Sequence, residues 1–163
     1  LSVPCLVTPV REAFVRHAGW DPVAAFDGDR FNLDLANLVE PQLGRGRPEV
    51  LAWYPAEVGS LSRAHPEDSR LSQRMELYFE GMELANGFVE LNDPVEQRRR
   101  FAAEQDAIRA AGREPPPMPE SYLKTLSALP DTVGIALGID RLTMLFADAS
   151  DISDVRAFGP DEA

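Results

Sequence analysis

Residues 74–91 constrain this chain more tightly than any other stretch. Arg74 to Glu80 alternates, with Met75, Leu77 and Phe79 on one face, and Met82 to Leu91 forms a second extended run. Alternation with a period of two belongs to a strand and not to a helix. Glu80-Gly81 between the runs reads as a tight turn, so the two are expected to return beside each other as a hairpin. The hairpin ends at Asn92-Asp93-Pro94. There an acid or amide cap and a proline near the first helical position predict a long helix from Pro94 to about Ala111.

The flanking sequence supplies partners for that hairpin. Residues 9–18 predict a short helix ended by Gly19, and residues 28–43 a weaker helical stretch. Val50 to Tyr54 reads as a buried strand, and a short helical turn is expected near Pro66 to Ser72. Beyond the proline run at 115–117 come a helix over 120–129, a strand at 132–137, a helix at 139–147 and a last short strand over Val155 to Phe158. Strands and helices mix without a βαβ rhythm. The expected fold is α+β, an antiparallel β-sheet flanked by helices, with residues 1–163 forming a single domain.

Net charge is -11, from 27 acidic and 16 basic residues. That sign argues against general nucleic-acid binding, which needs clustered Lys and Arg. The one dense basic run, Arg98 to Arg100, falls in the long predicted helix as a solvated face. Cys5 alone makes no internal disulfide and suits a reducing cytoplasm. His17 and His65 stand apart from other metal ligands, which disfavours a zinc site. No apolar run is long enough to span a membrane, and no secretory leader pattern appears. The start at Leu1, not methionine, is compatible with a fragment or a processed product.

Two segments carry chemistry. In Gly134-Ile135-Ala136-Leu137-Gly138-Ile139-Asp140-Arg141-Leu142 a short apolar strand meets a glycine and then a helix with arginine in its first turn. Gly138 lets a flat base or a phosphate approach the backbone. Arg141 offers a planar charged fork, and the helix start adds partial positive charge. The same pattern also serves plain packing. In the second segment, Glu83 and Glu90 stand seven residues apart. A straight strand would place them on opposite faces. A bulge at Gly87 would restore the parity. A two-residue turn at Asn86-Gly87 would instead set the two acids opposite each other. Either arrangement brings carboxylates together to hold Mg²⁺ or a substrate ammonium. Two solvated glutamates are the plain alternative. Asn86 reads as a substrate contact or a turn residue, and Phe88 as a pocket wall or core.

Together, YFEGMELANGFVELNDPVEQRRRF and, some forty residues later, GIALGIDRLTML resemble the C-terminal half of a class II aminoacyl-tRNA synthetase catalytic domain, lysyl branch. The second segment matches motif 3 of that class, at 134–145. The first matches the amino-acid and metal-binding strand ahead of it. Within the branch, Ala136, the tract Arg109 to Pro116, and Tyr54-Pro55-Ala56 with Ser60-Leu61-Ser62 resemble the elongation factor P–(R)-β-lysine ligase family more than the lysyl-tRNA synthetases.

The resemblance implies ATP and Mg²⁺ as cofactors, lysine or β-lysine as substrate and elongation factor P as acceptor. It implies Glu83, Leu84, Gly138 and Arg141 at the ATP site, Glu83 through Mg²⁺ and Leu84 through its backbone. It implies Asn86, Phe88, Glu90 and Ala136 around the amino acid, with Glu90 on Mg²⁺ or on the substrate amine. Arg141 and Glu90 become the expected catalytic pair. Motifs 1 and 2 find no match, so the implied fold is partial and the isolated chain is expected to be weak or inactive. A truncated non-catalytic paralogue and a fragment of lysyl-tRNA synthetase are the competing readings. A homodimer is a candidate assembly.

Overall fold

The computed structural model of this chain describes residues 4–159. Five strands form one sheet in the order β1-β2-β3-β4-β5: β1 Leu6–Pro9, β2 Glu49–Pro55, β3 Leu71–Phe79, β4 Met82–Val89 and β5 Val133–Leu137. The helices are α1 Val10–His17, α2 Gly28–Asp34, α3 Pro94–Ala110, α4 Glu120–Leu126 and α5 Ile139–Ala147.

The α+β expectation holds, with one correction to the sheet. β2 to β5 pair antiparallel, but β1 runs parallel to β2, Leu6 opposite Glu49 and Pro9 opposite Ala52. Parallel neighbours need a long crossover. Residues 10–48 supply it, through α1, α2, a π turn at Leu35–Val39 and a short 3-10 turn at Glu40–Gln42. Two further expectations fail. Residues 66–70 form a turn, in which Asp68 accepts from the Arg70 N–H at 3.1 Å, and β3 already begins at Leu71. A 3-10 turn at Ile152–Val155 stands where a last strand was expected to start.

The predicted hairpin forms as read. Glu80 and Gly81 both have positive φ, 51° and 77°, the conformation whose twist matches the flanking strands. At the other end of β4, Asp93 accepts hydrogen bonds from the N–H groups of Val95 and Glu96 and caps α3.

Register decides which side chains share a face. Leu51 lies opposite Glu76, Glu76 opposite Asn86, and Asn86 opposite Ala136. One row therefore crosses four strands. The register shifts between Ala52 and Tyr54, where Trp53, with a φ of 60°, stands against two residues of β3, Gln73 and Arg74; beyond the shift Tyr54 joins Leu51 in the core. Over β2 and β3 this face is covered. Leu51, Tyr54 and Tyr78 are buried there with Val10, Ala13 and Phe14 of α1, Phe31 of α2, Val39 and Leu43. Phe14 and Phe31 stack with centroids 4.7 Å apart. That cluster stops short of β4 and β5, where Ala136 is exposed. Among the described residues no helix is long and apolar enough to cross a membrane.

Candidate functional site

On the uncovered part of the face, the two chemistry-bearing segments meet in one cleft of about 460 Å³. Glu83, Leu84 and Asn86 line it from β4, and Ala136, Gly138, Asp140 and Arg141 line it from β5 and the first turn of α5. Ile152 lines it as well.

A bulge in β4 sets this geometry, at a position other than the expected one. Leu77 faces Ala85 while Tyr78 faces Glu83, so the extra residue is Leu84 and not Gly87. The Leu84 carbonyl, freed from the β3 ladder, accepts from the Gly138 N–H at 2.8 Å. That bond ties the bulge to the start of α5. Gly87 pairs regularly on both sides, with Met75 and with Ile135. A Cβ there would come within 3.0 Å of the Gly134 carbonyl and the Met75 Cε, so its bareness serves close packing. The alternative turn at Asn86-Gly87 does not form, because β4 runs unbroken through both residues.

The bulge does restore parity, but Glu83 and Glu90 stand at opposite ends of β4. Glu83 lines the cleft beside Arg141, while Glu90 and Phe88 do not line it. Arg141 Nη1 lies 3.2 Å from Glu83 Oε2, and the arginine side chain is about half exposed (48%). Among the described residues no three His, Cys, Asp or Glu side chains gather as metal ligands. A single accessible carboxylate still suits Mg²⁺, which takes one or two carboxylates together with phosphate oxygens and water.

Behind the cleft lies a polar network that the sequence did not announce. Glu76 is buried, and its donors come from its own strand β3 and from both neighbouring strands, β2 and β4. Tyr54 and Tyr78 hydroxyls donate to Oε2 at 2.5 and 2.6 Å. Arg74 Nη2 and Asn86 Nδ2 donate to Oε1 at 2.5 and 2.9 Å. Burial holds both tyrosines far above the usual phenol range, so they remain donors. Glu40 lies 3.1 Å from the Tyr78 hydroxyl. Burial raises its pKa, the nearby Glu76 and Glu83 carboxylates add to the rise, and the Tyr78 hydrogen bond opposes it. The signal for the network was Arg74-x-Glu76-x-Tyr78, alternate residues on one strand face.

With its amide nitrogen committed to Glu76, Asn86 keeps a buried Oδ1 that has no partner. This orphaned acceptor borders the cleft, and a ligand ammonium would satisfy it. The cleft thus offers a neutral acceptor from Asn86, a cationic fork from Arg141, one accessible carboxylate from Glu83 and a bare backbone at Gly138. Ala136, opposite Asn86, forms its floor.

Residues 35–162 match the model of a family described as tRNA synthetases class II (D, K and N). Several curated proteins called elongation factor P–(R)-β-lysine ligase are similar to this chain. The one from Edwardsiella ictaluri is 38% identical, over 94% of this chain and 54% of that protein. The one from Pectobacterium carotovorum subsp. carotovorum is 47% identical, with the same two coverages. The one from Erwinia tasmaniensis is 38% identical, over 97% of this chain and 56% of that protein. The chain spans about half the length of the curated relatives it matches.

Proposed function

We propose that this chain, which belongs to the class II tRNA synthetase family (D, K and N), forms part of an ATP-dependent ligase that activates lysine or β-lysine and passes it to a lysine of elongation factor P in the cytoplasm. The observation that carries the reading is the joining of Glu83, Asn86, Ala136, Gly138 and Arg141 around one cleft. The names of the relatives supply the substrate and the acceptor.

In the proposed reaction the amino-acid carboxylate attacks the α-phosphate of ATP. Pyrophosphate leaves and an aminoacyl-adenylate remains. A lysine amine of elongation factor P then attacks the acyl carbon, and AMP leaves. No enzyme nucleophile is required, so the chain's contribution is positioning and charge. Asn86 Oδ1 accepts from the substrate ammonium. Gly138 gives the adenosine a bare surface, and Arg141 covers the base and reaches the terminal phosphates. Glu83 would hold Mg²⁺, with Glu90 as a second carboxylate or as the partner of a substrate amine, and the ion would supply neutralisation of phosphate charge.

The test is calorimetric titration with ATP and Mg²⁺, followed by ATP–pyrophosphate exchange with α-lysine and (R)-β-lysine. Weak nucleotide binding with little exchange is expected of the chain alone. No binding at millimolar ATP overturns the reading. The competing reading is a non-catalytic binding module. Robust exchange by the chain would rule that out.

A further inference from the structure

Glu90 holds its carboxylate away from its own place in the ladder. Phe88 lies opposite Gly134 and Val89 opposite Val133. Glu90 comes next, and its N–H donates to the Thr132 carbonyl at 2.9 Å. The side chain does not stay beside Thr132. It leans back along the strand and lies over the α-carbon of Gly134. A Cβ on residue 134 would fall far inside contact with Glu90 Oε1, and would lie 3.3 Å from Cδ and 3.8 Å from Cγ. Two residues of strand measure about 6.6 Å. The lean carries the carboxylate toward Ala136 and the cleft floor.

The backbone beneath that lean is pinned. Arg63 donates from its N–H to the Val89 carbonyl at 2.9 Å and from Nε to the Glu90 carbonyl at 2.8 Å. The same arginine pairs with Asp131 at 2.6 Å. The Glu90 carboxylate itself accepts no hydrogen bond or ion pair from any described residue. The neighbouring acids differ: Glu83 has Arg141 and Glu76 has Arg74. A half-buried carboxylate left without a donor is a site for a cationic ligand group.

We propose that Gly134 is a positioning residue for an ammonium subsite: the bare α-carbon at 134 is what lets the unpaired Glu90 carboxylate lie toward the cleft, where it takes the side-chain ammonium of a diamino acid. This rests on the lysine-ligase reading above. Gly134 and Ala136 are alternate residues on one face. The first sets where the anion lies and the second sets the floor beside it, so together they measure the reach from the reacting carboxyl to the far amine.

A double-mutant cycle on this chain tests the proposal. The probes are L-lysine, (R)-β-lysine and 2-aminohexanoate, which lacks the far amine, titrated calorimetrically into the unsubstituted chain, Gly134→Ala, Glu90→Ala and the double variant. Gly134→Ala is expected to weaken binding of either lysine by about tenfold, the scale of one charge-assisted hydrogen bond. It should leave 2-aminohexanoate unchanged, and in the Glu90→Ala background it should add nothing. Equal losses in both backgrounds overturn the role of Gly134 and leave the amine subsite standing. Unchanged lysine binding in Glu90→Ala, or no saturable binding by the unsubstituted chain, overturns the subsite reading and this proposal with it. If Gly134→Ala lowers the thermal midpoint, Glu90→Ala should restore it by removing the clash. No restoration overturns the proposal.

Discussion

Arg141 Nη1 donates to two oxygens of one residue, the Glu83 main-chain carbonyl at 2.9 Å and the Glu83 carboxylate Oε2 at 3.2 Å. The fork is thereby anchored across the bulge from one side, while the side chain, about half exposed, lines the cleft. An ion pair so accessible contributes at most about 1 kcal/mol to stability. Arg141→Ala should therefore leave the denaturation midpoint almost unchanged. ATP affinity should fall by roughly tenfold or more, the scale of a lost hydrogen bond to a charged group. Calorimetry and thermal unfolding on the same samples separate the two effects. Unchanged nucleotide binding would count against the role assigned to this residue.

Ala136 presents one methyl group to the cleft floor, directly opposite Asn86. If that methyl shapes the pocket for a displaced amine, removing it should move selectivity from β-lysine toward α-lysine. A change of one methyl-sized group in a pocket is worth about 1–3 kcal/mol of discrimination. The comparison to make is the ratio of affinities for the two lysines in Ala136→Gly and in the unsubstituted chain. An unaltered ratio removes the argument from Ala136 for a β-lysine substrate.

Local residues announced the hairpin and the strand–glycine–helix turn, because alternation, Glu80-Gly81 and the Asp93-Pro94 cap act within a few positions of themselves. The β4 bulge was legible only in its consequence. Parity demanded an extra residue between Glu83 and Glu90, but its place at Leu84 is fixed by the Gly138 N–H, more than fifty residues away in the chain. β1 is four residues long, and its parallel pairing depends on the crossover that follows it. Glu76 escaped notice because a charged residue in an alternating strand reads as solvent-facing. Two of its donors, Arg74 and Tyr78, flank it on the same strand face, but Tyr54 and Asn86 become neighbours only when three strands are in register.

Removing the Glu76 carboxylate would take the anion from a mostly buried guanidinium and the acceptor from the buried Tyr54 hydroxyl, leaving Arg74 with the Val58 carbonyl and Tyr78 with Glu40. Arg74 is only 22% exposed in its side chain and its Nε already lacks a partner. Glu76→Ala should cost about 3–5 kcal/mol, as for a buried ion pair broken from one side. That is a large share of the roughly 5–15 kcal/mol that holds a domain folded. Glu76→Gln keeps the shape and one acceptor and should cost less. Urea unfolding of the two variants checks both the size and the order. Equal, small losses would mean that the network does not stabilise the fold.

Acid should act on two carboxylates in opposite senses. Glu96 is held at about 2 chiefly by hydrogen bonding from Arg99, against an opposing effect of burial and with a further hydrogen bond from Arg100. Its folded value lies below its unfolded value of 4.5. The stability it contributes is therefore present above pH 4.5 and is lost as pH falls toward 2. The site is accessible, so the loss stays below about 1 kcal/mol. Glu40 is shifted the other way, raised chiefly by burial. Its contribution is full below pH 4.5 and is lost as pH rises through the folded value. Glu96→Gln should flatten the acid limb of a stability–pH profile between pH 4.5 and 2. Glu40→Gln should instead remove a decline that begins above pH 4.5. Profiles from urea unfolding at each pH distinguish the two, and a Glu40→Gln profile that parallels the unsubstituted chain would contradict the raised value.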